Sequence, residues 1–158
     1  LNFEAMRDSM LQVSGELDLN MHGPSQKLHS KPYSKRRAVY GYIDRQNISP
    51  TLNSFDFANP NIHAPQRVET TVPQQALFAF NHPFVIERSA SLAKKVFDSR
   101  TANSSSQVEF LYRQILSRDP KKDESKLAVE FIGTDAKLAN FEDFAQTLLV
   151  SNEFFFTD

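Results

Sequence analysis

The helical spacing of apolar residues in the second half of the chain constrains the fold most. Apolar residues recur at i, i+3, i+4, i+7 and i+8 in Ser106–Ser117 and again in Asn140–Val150. This spacing places them on one side of an α-helix. The two stripes consist of Val108, Leu111, Tyr112, Ile115 and Leu116, and of Phe141, Phe144, Ala145, Leu148 and Leu149. Two amphipathic helices that pack against other helices are therefore predicted.

Weaker helical signals run through the rest of the chain, and no alternating strand pattern persists long enough to build a sheet. Gly133 suits a helix C-cap, and Pro83 suits a helix's first turn. We therefore predict an all-α single domain, residues 1–158, of about seven or eight helices. An irregular central loop is expected at Phe55–Asn61 and an internal linker at residues 19–33, which contain Gly and Pro but few apolar residues.

The stretch Arg67–Val85, which reads RVETTVPQQALFAFNHPFV, combines helix signals with unexplained polar groups. Thr71 and Gln74 have the spacing of a capping box. Ala76–Phe80 is apolar on every side of a helix, so we expect this short helix to lie at the centre of the fold. The polar residues that these signals do not explain are Arg67, Gln75 and Asn81.

Composition excludes several kinds of chemistry. The 158 residues contain no Cys, which removes disulfides and thiolate metal sites, and only 4 Gly, so a glycine-rich phosphate loop is missing. The four His show no paired ligand spacing, and no metal site is expected. With 18 basic and 19 acidic residues, the chain has no general attraction to nucleic acid. No apolar run approaches the roughly 20 residues that span a bilayer.

Arg67 is the first candidate for a binding residue. A guanidinium can hold a carboxylate, sulfate or phosphate through two parallel hydrogen bonds. The alternative is an ion pair with Asp56 that fixes the Phe55–Asn61 loop to the following helix, and this pair is what we predict. A second alternative is acid/base chemistry by two of the carboxylates Asp44, Asp56 and Glu69, which requires a suitable separation in space.

The second candidate is the basic stretch Lys31–Arg37, which neighbours Tyr40 and Tyr42. If this region is helical, Arg36 and Tyr40 share a face at i, i+4. Such a face could bind an acidic glycan, with the aromatic rings stacking on sugars. The alternative is a solvated helix start whose tyrosines are half in the core.

Three consecutive aromatic residues, Phe154, Phe155 and Phe156, lie close to the end of the sequence. Two interpretations stay open for them. They form a docking surface for a partner, or they close the core. Since three consecutive residues cannot all face one side of a helix, at least one is expected to contact another segment.

Five segments in order carry a resemblance to a known family: KRRAVYGYIDR, FDFANPN, the Arg67–Val85 stretch, FLYRQILSRDP and LLVSNEFFFTD. Together they resemble a C-terminal domain of planctomycetes and related bacteria, domain of unknown function number fifteen fifty-three. The resemblance implies the C-terminal part of a large secreted or periplasmic protein. A cytochrome-c-like domain often lies upstream, so any haem would be outside this chain, which needs no cofactor itself.

The same resemblance implies no catalytic residues. The positions that match its recurrent polar pattern are Arg36, Arg37, Tyr40, Arg45, Asp56, Arg67, Thr71, Gln75 and Asn81. Genes of this kind often lie near genes for sulfatases and other functions of polysaccharide utilisation. The resemblance therefore also implies a possible role in binding or converting a polysaccharide.

The predicted function is that of a structural or interaction module whose partners are the upstream domains of the same protein. The alternative is a catalytic or ligand-binding domain that acts on an anionic or sulfated polysaccharide. Its candidate ligand-binding residues are Arg67, Asp56, Gln75, Asn81, Arg36, Arg37 and Tyr40. Convergence of these residues in an open pocket would favour the alternative, and mutual satisfaction would favour the module. Whether the chain is an enzyme stays open.

Overall fold

The structure is a computed structural model that describes residues 1–67, 70–98, 103–133 and 135–156. Over these ranges it contains helices, one short 3-10 helix at Ala38–Tyr40 and two isolated β-bridges, but no strand longer than a bridge. The α-helices are α1 (Phe3–Val13), α2 (Pro50–Ser54), α3 (Pro73–Asn81), α4 (Pro83–Asp98), α5 (Ser104–Leu116), α6 (Lys122–Ile132), α7 (Leu138–Leu149) and α8 (Asn152–Phe155). The predicted all-α class and number of helices are confirmed.

The chain divides into two compact units, Leu1–Ala79 and Phe80–Asp158, with the boundary inside α3. The first unit contains α1, α2, the 3-10 helix and long irregular segments. The second unit contains α4 to α8, joined by short connections.

In the first unit, α1 is capped by Asn2, whose side chain accepts a hydrogen bond from the Ala5 amide. Residues 19–33 contain no helix, yet they are packed onto this unit. Leu28 is buried, and an isolated bridge joins Gln26 to Gly41. Main-chain hydrogen bonds of 2.8 Å link Gln26 to both Tyr40 and Tyr42.

Aromatic rings form the centre of the first unit. The ring of Phe3 lies 5.5 Å from that of Phe55 and 5.9 Å from that of Phe78, and the last two are 5.4 Å apart. These separations are typical of stacked and edge-to-face aromatic pairs. Phe55, from the predicted central loop, is buried among them.

The expectation that the Ala76–Phe80 helix lies at the centre of the fold is wrong. Within α3 only Ala79 is buried, while Leu77 is 61% exposed and Phe80 is 57% exposed. An apolar run that surrounds a helix does not specify how many sides its neighbours cover. The predicted capping box is also wrong, because α3 begins at Pro73 and Thr71 makes no capping hydrogen bond to Gln74.

In the second unit, α4 and α7 pack together most extensively. Both predicted stripes face the interior, and all of their residues except Leu116 are buried. The rings of Phe97 and Phe141 are 6.2 Å apart between α4 and α7. Gly133 ends α6 with a φ of 78°, a conformation that favours glycine, as the sequence predicts.

The three consecutive aromatic residues Phe154, Phe155 and Phe156 divide between the two interpretations. Phe154 is buried, Phe155 is half-buried and Phe156 is exposed. The side chain of Ser151 caps α8 by accepting a hydrogen bond from the Phe154 amide at 3.3 Å. Phe154 therefore closes the core.

No helix within the described ranges is long and apolar enough to cross a membrane.

Candidate functional site

Arg67 forms an ion pair, but with a different partner from the predicted one. Its Nη1 donates to both carboxylate oxygens of Glu4 in α1, at 3.0 and 3.1 Å. Its Nε donates to the main-chain oxygen of Asp56 at 3.2 Å, and its guanidinium lies 5.3 Å from the centre of the Phe57 ring. The predicted Arg67–Asp56 ion pair is therefore wrong, although the two residues do touch.

The Asp56 carboxylate is occupied by Thr70 instead. One carboxylate oxygen accepts from both the amide and the hydroxyl of Thr70 at 2.7 Å. Asp56 itself has a φ of 53°, in the left-handed region that Asp tolerates better than most residues. This backbone turn lets its carbonyl bind Arg67 while its side chain binds Thr70.

Gln75 completes the same cluster. Its Nε2 donates to the carbonyl oxygens of Ser54 and Thr70, both at 3.0 Å. We call Glu4, Asp56, Arg67, Thr70 and Gln75 the Arg67 cluster. It connects α1, the end of α2 and the segment before α3. Three of the predicted site residues thus come together, and each is bound to other groups of the protein.

Arg36 and Tyr40 also come together, as predicted, but not on an α-helix. The Arg36 guanidinium lies 3.9 Å from the centre of the Tyr40 ring, close enough for a cation–π contact. Arg36 donates to the carbonyl oxygen of Asn20 at 2.9 Å, and the Tyr40 hydroxyl accepts from the His22 amide at 3.0 Å. Arg36 precedes the 3-10 helix, so the i, i+4 helical placement is wrong, and the pair holds residues 20–22 in place.

A buried arginine in α1 was not among the predicted site residues. Arg7 is 1% exposed, donates to the carbonyl oxygens of Ser34 and Arg36, and pairs with Asp8 at 3.1 Å. Both Asp8 oxygens accept from the Ala38 amide, at 2.8 and 2.9 Å. The signal was present in the sequence, since Arg7 falls within the apolar stripe of α1, where a charge requires partners.

The remaining predicted residues do not join these clusters. Arg37 is exposed and has no ion-pair partner among the described residues. Asn81 is the last residue of α3 and belongs to the second unit. The six predicted residues of the first unit therefore fall into the Arg67 cluster, the Arg36–Tyr40 pair and Arg37, which joins neither. Of the three carboxylates considered for acid/base chemistry, Glu69 lies outside the described residues.

The first unit has a cleft of about 500 Å³, which we call the larger cleft. Its charged residues are Glu4, Asp8, Arg37 and Arg67, two acids and two bases. Three of the four are bound within the protein as described above, and Arg37 is the exception. The rest of the lining includes the apolar side chains Phe3, Leu28, Ala38, Val39, Ile43, Leu52 and Phe57.

A second cavity of about 250 Å³, the smaller pocket, shares Leu28, Ile43 and Leu52 with the larger cleft. Its polar lining residues are Lys27, His29, Ser30, Tyr42, Asp44, Asn47 and Ser49. The sequence analysis considered only Tyr42 and Asp44 among them, separately and for other roles. The two contributing segments, residues 27–30 and 42–52, are irregular and separated in sequence, so no spacing pattern could have indicated the pocket.

In the second unit, Arg118 of the FLYRQILSRDP segment forms an ion cluster with two glutamates from later helices. It contacts the Glu124 carboxylate at 2.7 and 2.8 Å and the Glu153 carboxylate at 2.7 Å. Hydrogen bonds from Arg118 and from the Lys121 amide lower the pKa of Glu124 to about 2. The hydrogen bonds from Arg118 also lower the pKa of Glu153, so both carboxylates are ionised near neutral pH and unsuited to donate a proton. The cluster joins the end of α5 to the starts of α6 and α8.

His82 lies between α3 and α4. Its Nδ1 accepts a hydrogen bond from the Phe84 amide at 3.2 Å, which satisfies one of the open donors at the start of α4. Burial lowers the pKa of His82, and the nearby Glu87 opposes that effect. The neutral imidazole thus has a structural use at this helix start.

No group of three or more His, Cys, Asp or Glu residues suited to a metal ion occurs in the part of the chain that the structure describes. The polar residues that stood out in the sequence mainly connect irregular segments to helices. This arrangement defines an all-α domain whose first unit is organised by arginine contacts. The sequence model of a family described as PSD1, protein of unknown function (DUF1553), matches residues 1–132, and the chain belongs to this family. No curated protein and no solved structure matches the chain.

Proposed function

We propose that the chain is a non-catalytic helical module of a larger exported protein, periplasmic or secreted, in which it positions the upstream domains. The observation that carries this proposal is the occupation of the Arg67 cluster by contacts within the protein. Three of its five members, Asp56, Arg67 and Gln75, are residues that the sequence singled out for binding, and their polar groups stabilise the fold instead.

An anion-binding arginine needs N–H groups that are available to a ligand. Arg67 directs Nη1 to Glu4, Nε to the Asp56 carbonyl and Nη2 to the Phe55 carbonyl at 3.5 Å. A sulfate or carboxylate ligand would have to displace Glu4, which already contributes two oxygens and a full negative charge. Because this exchange gains little, the internal pair is the more stable arrangement.

The rival function, action on an anionic or sulfated polysaccharide, has less support. Arg36 is bound to carbonyl oxygens and to the Tyr40 ring. Of the two arginines that line the larger cleft, Arg67 is paired with Glu4, and Arg37 has no carboxylate partner in the described chain. Glu4 and Asp8 line the same cleft and would repel a polyanion. One exposed arginine is weaker than the stripe of basic residues that typically binds a polyanion.

Two variants separate the proposal from its rival. We expect Arg67→Ala to lower the free energy of unfolding by about 2 kcal/mol, because Glu4 and two carbonyl groups lose their partner. Arg37→Ala, which removes the other arginine of the larger cleft, is the matched control and should leave stability within about 0.5 kcal/mol. Urea titration followed by circular dichroism measures both.

Binding of a sulfated oligosaccharide, a heparin hexasaccharide, is measured in parallel by calorimetry. We expect no binding by the wild-type protein. Binding that Arg67→Ala abolishes without any loss of stability would reject the structural role. For the interaction role, the upstream part of the natural protein, expressed separately, should bind this chain in a calorimetric titration, and the absence of binding counts against it. Recovery of the natural protein in the cytoplasmic fraction would contradict the proposed export.

A further inference from the structure

Five polar side chains of the smaller pocket differ from those of the Arg67 cluster because they have no partner among the described residues. The side chains concerned are those of Lys27, Ser30, Tyr42, Asn47 and Ser49, none of which makes a hydrogen bond or ion pair with the described residues. Asp44 uses one carboxylate oxygen to accept from the Gln46 amide at 2.9 Å, and its other oxygen accepts no hydrogen bond within the described ranges. Six side chains around one pocket can therefore bind a ligand without breaking an internal contact.

The contrast with the adjoining larger cleft is direct. There, Glu4 is bound by Arg67, and Asp8 is bound by Arg7 and the Ala38 amide. The two cavities share an apolar wall of Leu28, Ile43 and Leu52, of which Leu28 and Leu52 are buried. Ligand-binding pockets combine apolar walls with a few convergent polar groups, and the smaller pocket has that combination.

The types of polar group define the ligand chemistry. Hydroxyl and amide groups both donate and accept hydrogen bonds, the Asp44 carboxylate accepts and the Lys27 ammonium donates. Tyr42 is 54% exposed and lines the pocket, and its ring has a flat apolar face. A sugar ring matches this set, because its hydroxyls donate and accept while its C–H groups form an apolar face that packs on aromatic rings.

The charges and the volume of the smaller pocket narrow the class of ligand further. Lys27 and Asp44 are opposite charges, so the pocket offers no net attraction to a sulfate. Its volume of about 250 Å³ lies just below the roughly 300–1,000 Å³ of pockets that hold drug-sized ligands, which suits one ring. We propose that the smaller pocket binds a single uncharged pyranose unit, with Tyr42 stacked on the ring and Asp44 and Asn47 bonded to its hydroxyls.

The test is an NMR titration of the ¹⁵N-labelled protein. The probes are the methyl glycosides of glucose, galactose, mannose and N-acetylglucosamine, with glucose 6-sulfate and glutamate as charged probes. We expect at least one neutral glycoside to shift the amide signals of residues 27–30 and 42–49, and the charged probes to bind more weakly. Tyr42→Ala should weaken binding about tenfold through loss of the stacked ring. Asp44→Asn, which keeps the shape of the side chain, should weaken it several-fold.

Val39→Ala is the matched control, because Val39 is an exposed neighbour that lines the larger cleft and not the smaller pocket. It should bind like the wild type. Circular dichroism checks that Tyr42→Ala is folded, which its exposure leads us to expect. The proposal is overturned if no neutral glycoside shifts these signals, if only a charged probe does, or if both pocket variants bind like the wild type. Such a result would leave the structural role of the Arg67 cluster intact, since the two sets share no residue.

Discussion

Each of the two units of this protein is stabilised by a different kind of internal contact. The second unit is built from helices whose apolar stripes meet, chiefly between α4 and α7. The first unit has long irregular segments, and three arginines bind carbonyl groups within it. Apolar stripes are a regular and local feature of a sequence. Arginine-to-carbonyl contacts fix one particular loop path, so the first unit depends on a few residues and the second on many.

The largest effect should come from Arg7, the most buried of these arginines. We expect Arg7→Met to lower the free energy of unfolding by about 3–5 kcal/mol, because Asp8 and the carbonyl groups of Ser34 and Arg36 lose a buried partner. Urea titration measures the loss. Hydrogen exchange should show that protection falls first in residues 14–49. Arg37→Met, an exposed arginine of the same segment, is the control, and a loss below about 1 kcal/mol for Arg7→Met would contradict the comparison.

A core substitution in the second unit tests whether apolar packing stabilises that unit. Leu92 in α4 is fully buried, and Leu92→Ala should lower the free energy of unfolding by about 2–4 kcal/mol through lost burial and the cavity left behind. Ile86→Ala on the same helix is the control, because Ile86 is 46% exposed and its substitution should change stability by less than about 1 kcal/mol. In hydrogen exchange, Leu92→Ala should act on α4 and α7. Loss of protection in residues 14–49 alone would refute the contrast between the units.

The smallest effect concerns pH and His82. Because the pKa of His82 is lowered in the folded state, the unfolded chain binds more protons just below pH 6.5. Stability from the neutral imidazole is therefore complete above pH 6.5 and is lost as the pH falls through the lowered folded-state pKa. The loss should stay below about 1 kcal/mol, as expected for one helix-start hydrogen bond.

The variant His82→Asn checks this sign, because an Asn side chain can accept the Phe84 amide without titrating. Melting temperatures measured between pH 5 and 7 should depend less on pH in this variant than in the wild type. His63→Asn, a substitution at an exposed histidine, is the control. A wild-type protein that becomes more stable as the pH falls through this window, with the effect removed by His82→Asn, would reverse the argument.

The sequence predicted the second unit better than the first. The two stripes of the second unit were found from spacing alone, and so was the end of α6 at Gly133. In the first unit, the sequence identified Arg67, Asp56 and Gln75 as related residues but assigned the wrong carboxylate. Glu4 and Arg67 are 63 positions apart, and no local pattern indicates such a pair. Arg7 could have been recognised as a charge within an apolar stripe.

By itself, the sequence determined the helical class of this protein and the faces that α5 and α7 bury. Those features follow from the 3.6-residue period, which acts over a few turns of one helix. Tertiary structure alone decided that Leu77 and Phe80 of α3 stay exposed, that Arg67 binds Glu4, and that Tyr42 and Asp44 share a pocket with Lys27. Each of these outcomes depends on which distant segments come into contact. The path of the irregular segments decides those contacts, and no periodic pattern in the sequence specifies that path.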